Sequence, residues 1–198
     1  MPPTPYKLSF TAAPLLQQES VKLAELFLEC KDWDMVRDEV LSKNLLQART
    51  QSSLRRICQE VIPRLGTLSQ DELDLLVQGS SQEQAQLLWV AVCRQYRFVA
   101  EFAVEVLRER YLSMKGDVQL VDFDSFFNQK SEWHPELENL SASTRNKLRQ
   151  VLFRIMREAD LLARNNTINA VMLSPRVVDV LSRNNPRDLS FFPMPDTV

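Results

Sequence analysis

Apolar residues recur along this chain at three- and four-residue spacing, separated by polar stops, and this pattern predicts about seven or eight helices. After an extended "YKLSF", a helix opened by Thr11 or Pro14 runs through Leu28, with Val21, Leu23, Ala24, Phe27 and Leu28 as its apolar stripe. Asp32 is placed to cap a second helix, Trp33 to Lys43, because its carboxylate accepts from unpaired amides. Ser52 or Ser53 starts a third, which Pro63 must end or kink for want of an amide. Ser69 starts "QDELDLLVQ" and Gly79 closes it; Ser80 or Ser81 then caps a long helix expected to reach about Ser113. "DFDSFFNQ" predicts a short helix, Ser143 is expected to cap another that ends near Asn165, "TINAVML" suggests a short strand, and Ser174-Pro175 opens a last helix to about Arg183.

Composition agrees with helix. Three Gly stand against ten Pro in 198 residues, and 44% of positions are apolar, enough for a substantial interior. The reading is an all-α protein in two small lobes: 1–116 with a helix-turn-helix-like segment at 33–64, an irregular acidic connection at 117–142, and a basic helical lobe at 143–198. The N-terminal stretch does not read as a secretory leader, and the most apolar run, "AQLLWVAVC", is too short to span a bilayer. Cys30, Cys58 and Cys93 lack paired spacing, which fits reduced thiols in a cytoplasmic protein.

Charge changes the picture more than composition does. Residues 1–142 carry 15 basic and 21 acidic side chains, whereas residues 143–187 carry nine and three, so a chain of net charge −2 is polarised along its length. At 100° per residue, Leu148, Val151, Leu152, Ile155, Ala159 and Leu162 form one stripe. Lys147, Arg154, Arg157 and Arg164 lie opposite, with Arg145 and Arg149 on a flank, and only Glu158 and Asp160 are nearby acids. A second cluster, Lys43, Arg49, Arg55, Arg56 and Arg64, faces only Glu60; there Leu54, Ile57, Cys58 and Val61 turn inward and Ser52, Arg55, Arg56 and Gln59 outward. A solvated face or an internal docking surface accounts for one such cluster. A phosphate backbone accounts for both, since these side chains reach phosphates and base edges. Arg176 and Arg183, with the strand as a wing, would supply a second helix pair.

Signals for catalysis are sparse. There is one His, His134, before a proline, where a surface or capping role is expected, and no Gly-rich phosphate loop or nucleophile motif appears. Asp122 and Asp124 lack identifiable partners for a divalent ion, so capping and turn formation explain them better. Neither metal nor cofactor is expected. Phe98, Phe102, Trp89 and the aromatics of "FDSFF" are spaced for core packing, not base stacking.

The blocks "NLLQARTQSSLRRICQEV", "RQYRFVAEFAVEVLRERYL", "FFNQKSEWHPEL" and "STRNKLRQVLFRIMREADLL", in this order, resemble the BrxA family of BREX phage-defence systems, over about Tyr6 to Leu162. The resemblance implies an all-helical, non-enzymatic protein that binds double-stranded DNA through helix-turn-helix elements and positive grooves. The sequence also leaves open an adaptor that docks other BREX proteins, with DNA binding incidental. A monomer is favoured over an oligomer, which the sequence does not decide.

Overall fold

The computed structural model describes residues 4–195; the first residues of the stretch weighed as a leader, and Asp196, lie outside the described residues. Within them are eleven α-helices and no β-strand, so the all-α class holds while the count exceeds seven or eight. The helices are α1 Gln17–Cys30, α2 Trp33–Lys43, α3 Gln51–Leu65, α4 Gln70–Gln78, α5 Ser81–Gln95, α6 Arg97–Phe102, α7 Glu109–Leu112, α8 Leu120–Ser131, α9 Pro135–Glu138, α10 Ala142–Glu158 and α11 Pro175–Asn184. Short 3-10 turns at Ser9–Ala12 and Pro186–Phe191 complete the described chain.

Caps explain most starts. The Asp32 carboxylate accepts from Asp34 and Met35 amides, as expected, while Thr50 rather than Ser52 or Ser53 caps α3. Reciprocal capping boxes, Ser69 with Glu72 and Ser80 with Glu83, open α4 and α5. The first helix starts at Gln17, later than expected, because Leu16 takes a left-handed conformation (φ 53°). Ser141, not Ser143, caps α10, and the helix ends at Glu158 rather than near Asn165, with Asp160 left-handed just beyond. The expected strand is instead a pair of isolated antiparallel bridges, Leu162 with Ile168 and Asp117 with Thr167.

The long helix expected to reach Ser113 is broken at Tyr96, whose backbone is extended (φ −126°, ψ 95°). Nothing in the local sequence breaks helix there. Tyr96 is buried, its hydroxyl donates to Glu60 at 2.8 Å and its ring meets Phe10 at 5.7 Å, so tertiary packing overrides propensity. After α6 the backbone widens into a π-helical stretch, Ala103–Arg108. The buried pairs Phe98-Val99, Phe102-Ala103 and Val106-Leu107 repeat every four residues, a period that drifts about 40° per turn on an α-helix. A wider turn returns the third pair to the core.

All nine residues from Ala85 to Cys93 are buried, making α5 the central helix. One hydrophobic cluster extends from Tyr6 to Phe192, and its aromatic part joins Phe98, Phe102 and Phe126, with centroids 5.2 and 5.3 Å apart. His134 is buried rather than superficial: its ring lies 4.1 Å from that of Tyr6, tilted by 34°, and it meets Glu136 at 2.9 Å.

Two ionic junctions, one buried at Arg94 and one at the surface at Arg176, tie the C-terminal segment down. Arg94 of α5 donates to Glu72 on α4 and to Asp188 in the last 3-10 turn, each with contacts at or below 2.9 Å, and to the Thr67 carbonyl. Glu83 of α5 takes both Arg176 (Oε2 at 2.7 Å) and the Ser174 hydroxyl at the start of α11. These bonds, with the Ser80 amide, hold the Glu83 carboxyl down at about 2 against an ordinary 4.5. Because the folded-state value is depressed, the stabilisation is present above the unfolded value and fades as pH falls from 4.5 toward about 2. Glu83→Gln is therefore expected to lower stability at neutral pH and flatten its acid limb, as read by urea midpoints between pH 5 and 3. An unchanged limb would place the acid-sensitive contact elsewhere.

Candidate nucleic-acid interface

The 3-10 turn Ser9–Ala12 packs against both α3 and α10 and so brings the two basic segments together. This turn and the residues that follow it, 9–15, form a strap; Thr11 and Pro14 of the strap, Arg56 of α3, and Lys147, Val151 and Arg154 of α10 line one cleft of about 300 Å³. An adjoining cavity of about 680 Å³ shares Pro14 and Arg154 and extends along the start of α1 past Glu158 to Gln84.

The two faces sort as the helical periods require. Leu54, Cys58 and Val61 are buried in α3, whereas Ser52, Arg55, Arg56 and Gln59 are exposed together. In α10, Leu148, Val151, Leu152 and Ile155 are buried, with Lys147, Arg154 and Arg157 exposed. Ala159 and Leu162 are buried beyond the helix end, and Arg164 is exposed in the following loop rather than on the helical arc. Between α2 and α3 the left-handed Asn44 closes the connection: its side chain donates to the Ala48 carbonyl at 3.1 Å and accepts from the Ala48 amide at 3.0 Å.

Counter-charge separates these cations. Among the described residues, Arg49, Arg55, Arg56, Lys147 and Arg164 make no salt bridge. Arg157 donates to the neutral Asn166 side chain at 3.0 Å and keeps its charge uncompensated. Arg154 meets Glu158 at 2.8 Å while remaining 61% exposed. Arg145 and Arg149 converge on Asp124 of α8 at 3.0 and 2.7 Å, a pairing invisible in a count restricted to nearby acids. Lys43 pairs with Glu39 at 2.9 Å.

Three expected contacts are occupied elsewhere. Arg64 is buried: it donates to the Pro14 carbonyl at 2.7 Å and the Ala13 carbonyl at 2.9 Å, with Glu60 3.9 Å away. Its position in the last turn of α3 turns it under the strap instead of outward. Arg176 is bound to Glu83, and Arg183 to Asp179 at 2.9 Å and Asp71 at 3.4 Å, because α11 packs against α4 and α5. Neither joins the α10 face. Asp122 accepts from Arg110 at 2.8 Å and from the Gln119 amide at the start of α8.

Sequence reasoning did not identify the strap, the pairing of Asp124 with Arg145 and Arg149, or the contact by which Glu158 accepts the Leu15 amide at 2.7 Å. No period or motif encodes these contacts, since each links segments at least 21 residues apart or depends on how the strap crosses α10. Arg64→Ala leaves two carbonyls and Glu60 poorly satisfied and is expected to cost about 2–4 kcal/mol. Arg56→Ala is expected to stay within about 0.5 kcal/mol of the parent. Urea denaturation of both variants checks the assignment, and equal costs would overturn the division between buried and free arginines.

Among the described residues, no helix is long and apolar enough to cross a membrane, and no group of three His, Cys, Asp or Glu is arranged to hold a metal ion. Comparison with known proteins places the geometry in a family. BREX protein BrxA of Escherichia coli O9:H4 is 30% identical over 178 residues, covering 89% of this chain and 84% of that protein. BREX protein BrxA of Bacillus cereus is 26% identical over 177 residues, covering 88% of each. The crystal structure of an uncharacterized protein from Magnetospirillum magneticum superimposes with a TM-score of 0.80 at 25% identity, covering 95% of this chain and 97% of that one. The BrxA family model matches residues 4–185, and the chain belongs to the BrxA family.

Proposed function

We infer that this protein is a non-enzymatic, double-stranded-DNA-binding component of a cytoplasmic BREX phage-defence system. The observation that carries the reading is the convergence of Arg56 from α3 with Lys147 and Arg154 from α10 on one cleft, flanked by exposed Arg55 and Arg157. Two basic helices held at fixed spacing suit a polyanion with regularly spaced charges. Arginine adds a planar fork of donors that matches phosphate oxygens. Binding through such contacts releases counterions and weakens steeply with salt. The α2–α3 pair is read as the helix-turn-helix-like element, with Ser52 and Gln59 beside the arginines to reach base edges.

The adaptor reading draws on a different surface. Leu112, Met114, Leu120 and Val121 are exposed at the α7–α8 corner, with Met114 92% accessible, and would dock another BREX protein through apolar contact.

Duplex binding across a salt series separates the two. Arg55→Ala/Arg56→Ala and Arg154→Ala/Arg157→Ala are each expected to weaken binding roughly tenfold or more and to reduce the salt slope by roughly 1 to 2. Arg176→Ala/Arg183→Ala is expected to leave the slope unchanged. A parent that does not bind duplex at low salt removes the DNA reading and leaves the adaptor. Asp124→Asn provides a gain-of-function check: freeing Arg145 and Arg149 is expected to tighten binding and steepen the slope. Unchanged affinity would place those two arginines outside the DNA footprint.

A further inference from the structure

We propose that the strap cleft is a discrete seat for a single phosphate group, an inference that rests on and sharpens the duplex-binding reading. The cleft differs from the rest of the basic surface in enclosure and convergence. Its three cations come from both walls, Arg56 on one and Lys147 with Arg154 on the other, and the strap closes the space between them. Arg56 and Lys147 make no salt bridge among the described residues. Arg154 uses its Nε on Glu158, and its terminal nitrogens make no further salt bridge or hydrogen bond among the described residues. Thr11 also lines the cleft, and its hydroxyl, which has no hydrogen-bond partner among the described residues, is a neutral donor within this wall.

The walls between these donors are apolar. Ala12, Pro14 and Val151 face the same space, so an anion held there sits against surface that screens poorly, and each charge-assisted bond counts for more than on an open face. The cations also repel one another across the cleft, an unfavourable arrangement that a bound oxyanion relieves. Arg55, Arg157 and Arg164, by contrast, are not among the residues that line this cleft.

A tetrahedral oxyanion is the ligand chemistry these donors share, whether carried by the duplex backbone or by a free phosphate monoester. The Glu158 carboxylate lies beside the seat, bridging Arg154 and the Leu15 amide, so an arriving phosphate accepts from the free nitrogens of Arg154 without displacing the strap contact.

The test is titration of the ¹⁵N-labelled full chain with inorganic phosphate at constant ionic strength, against chloride. Arg side-chain resonances and the Thr11 and Ala12 amides are followed by NMR. Arg56, Arg154 and the strap amides are expected to move along a saturating one-site curve, with Arg55, Arg157 and Arg164 no more affected than in chloride. Lys147→Ala and Arg56→Ala are each expected to weaken the site roughly tenfold, and Arg56→Lys by less, since it keeps the charge but loses the fork. Non-saturating shifts spread over all exposed arginines overturn the seat, even where duplex still binds, in which case the duplex reading stands without it. If phosphate saturates the site, a short duplex and a 5′-mononucleotide are used as competitors. Displacement by duplex identifies a backbone phosphate; displacement by the mononucleotide alone keeps the seat as a monoester site and places it outside the duplex footprint, whose own test is binding at low salt.

Discussion

The burial of Arg64 constrains everything on the basic side of the molecule. A guanidinium taken out of water must find partners. This one finds the carbonyls of Ala13 and Pro14 at 2.9 and 2.7 Å, with Glu60 as a more distant counter-charge and the Tyr96 ring 5.5 Å away. From the opposite side, Glu158 of α10 accepts the Leu15 amide. Three consecutive residues are thus gripped by a cation from α3 and an anion from α10. The strap cannot shift without breaking a buried charge contact, and the two basic helices keep a defined separation. The cleft between them follows from a residue that itself never reaches the surface.

The same logic sorts the remaining charges. In a helical protein the worth of a surface cation as a ligand depends on which acids the neighbouring elements bring to it, not on which acids are near in sequence. Asp124 on α8 engages two arginines of α10 at once, Glu83 on α5 holds Arg176, and Asp71 on α4 approaches Arg183. What remains unpaired is a narrower set than the thirteen basic residues read from the sequence, and it is concentrated on α3, on α10 and in the loops beside them. Arginines held by acids of a neighbouring element gain little from binding, whereas unpaired ones, and Arg154 whose contact with Glu158 uses only its Nε, carry the larger electrostatic benefit.

The helical class, the stripes of α3 and α10, the Asp32 and Ser69 caps and the central burial of α5 were all legible, because periodicity and capping are local properties of the chain. The break at Tyr96 was not, since it is imposed by Glu60, Phe10 and Arg64, none of them within thirty residues. The π-helical stretch had left a trace, a four-residue apolar repeat, but a repeat of four is also compatible with a slightly turned α-helix. For the site, exposure of Ser52, Arg55, Arg56 and Gln59 was readable from angle alone. The inward turn of Arg64 was not: a residue two positions beyond Ile62, in the last turn of a helix, is outward or inward according to what crosses it, and the strap that crosses it carries no sequence signal.

This sorting also separates the two functional readings physically. An adaptor interface needs complementary shape and a desolvated apolar centre, and the exposed corner at Met114 and Val121 has the apolar character without any basic residue that the strap organises. A duplex asks for little shape complementarity but demands that several cations reach regularly spaced phosphates together. Flexible lysines on mobile loops meet that demand only by losing conformational freedom. On the duplex-binding proposal, Arg56 and Arg154 project from helices whose spacing is fixed by internal charges, so much of the ordering would be complete before a phosphate arrives. The buried arginine and the exposed ones therefore belong to one device: the first sets the geometry in which the others are spaced to act together.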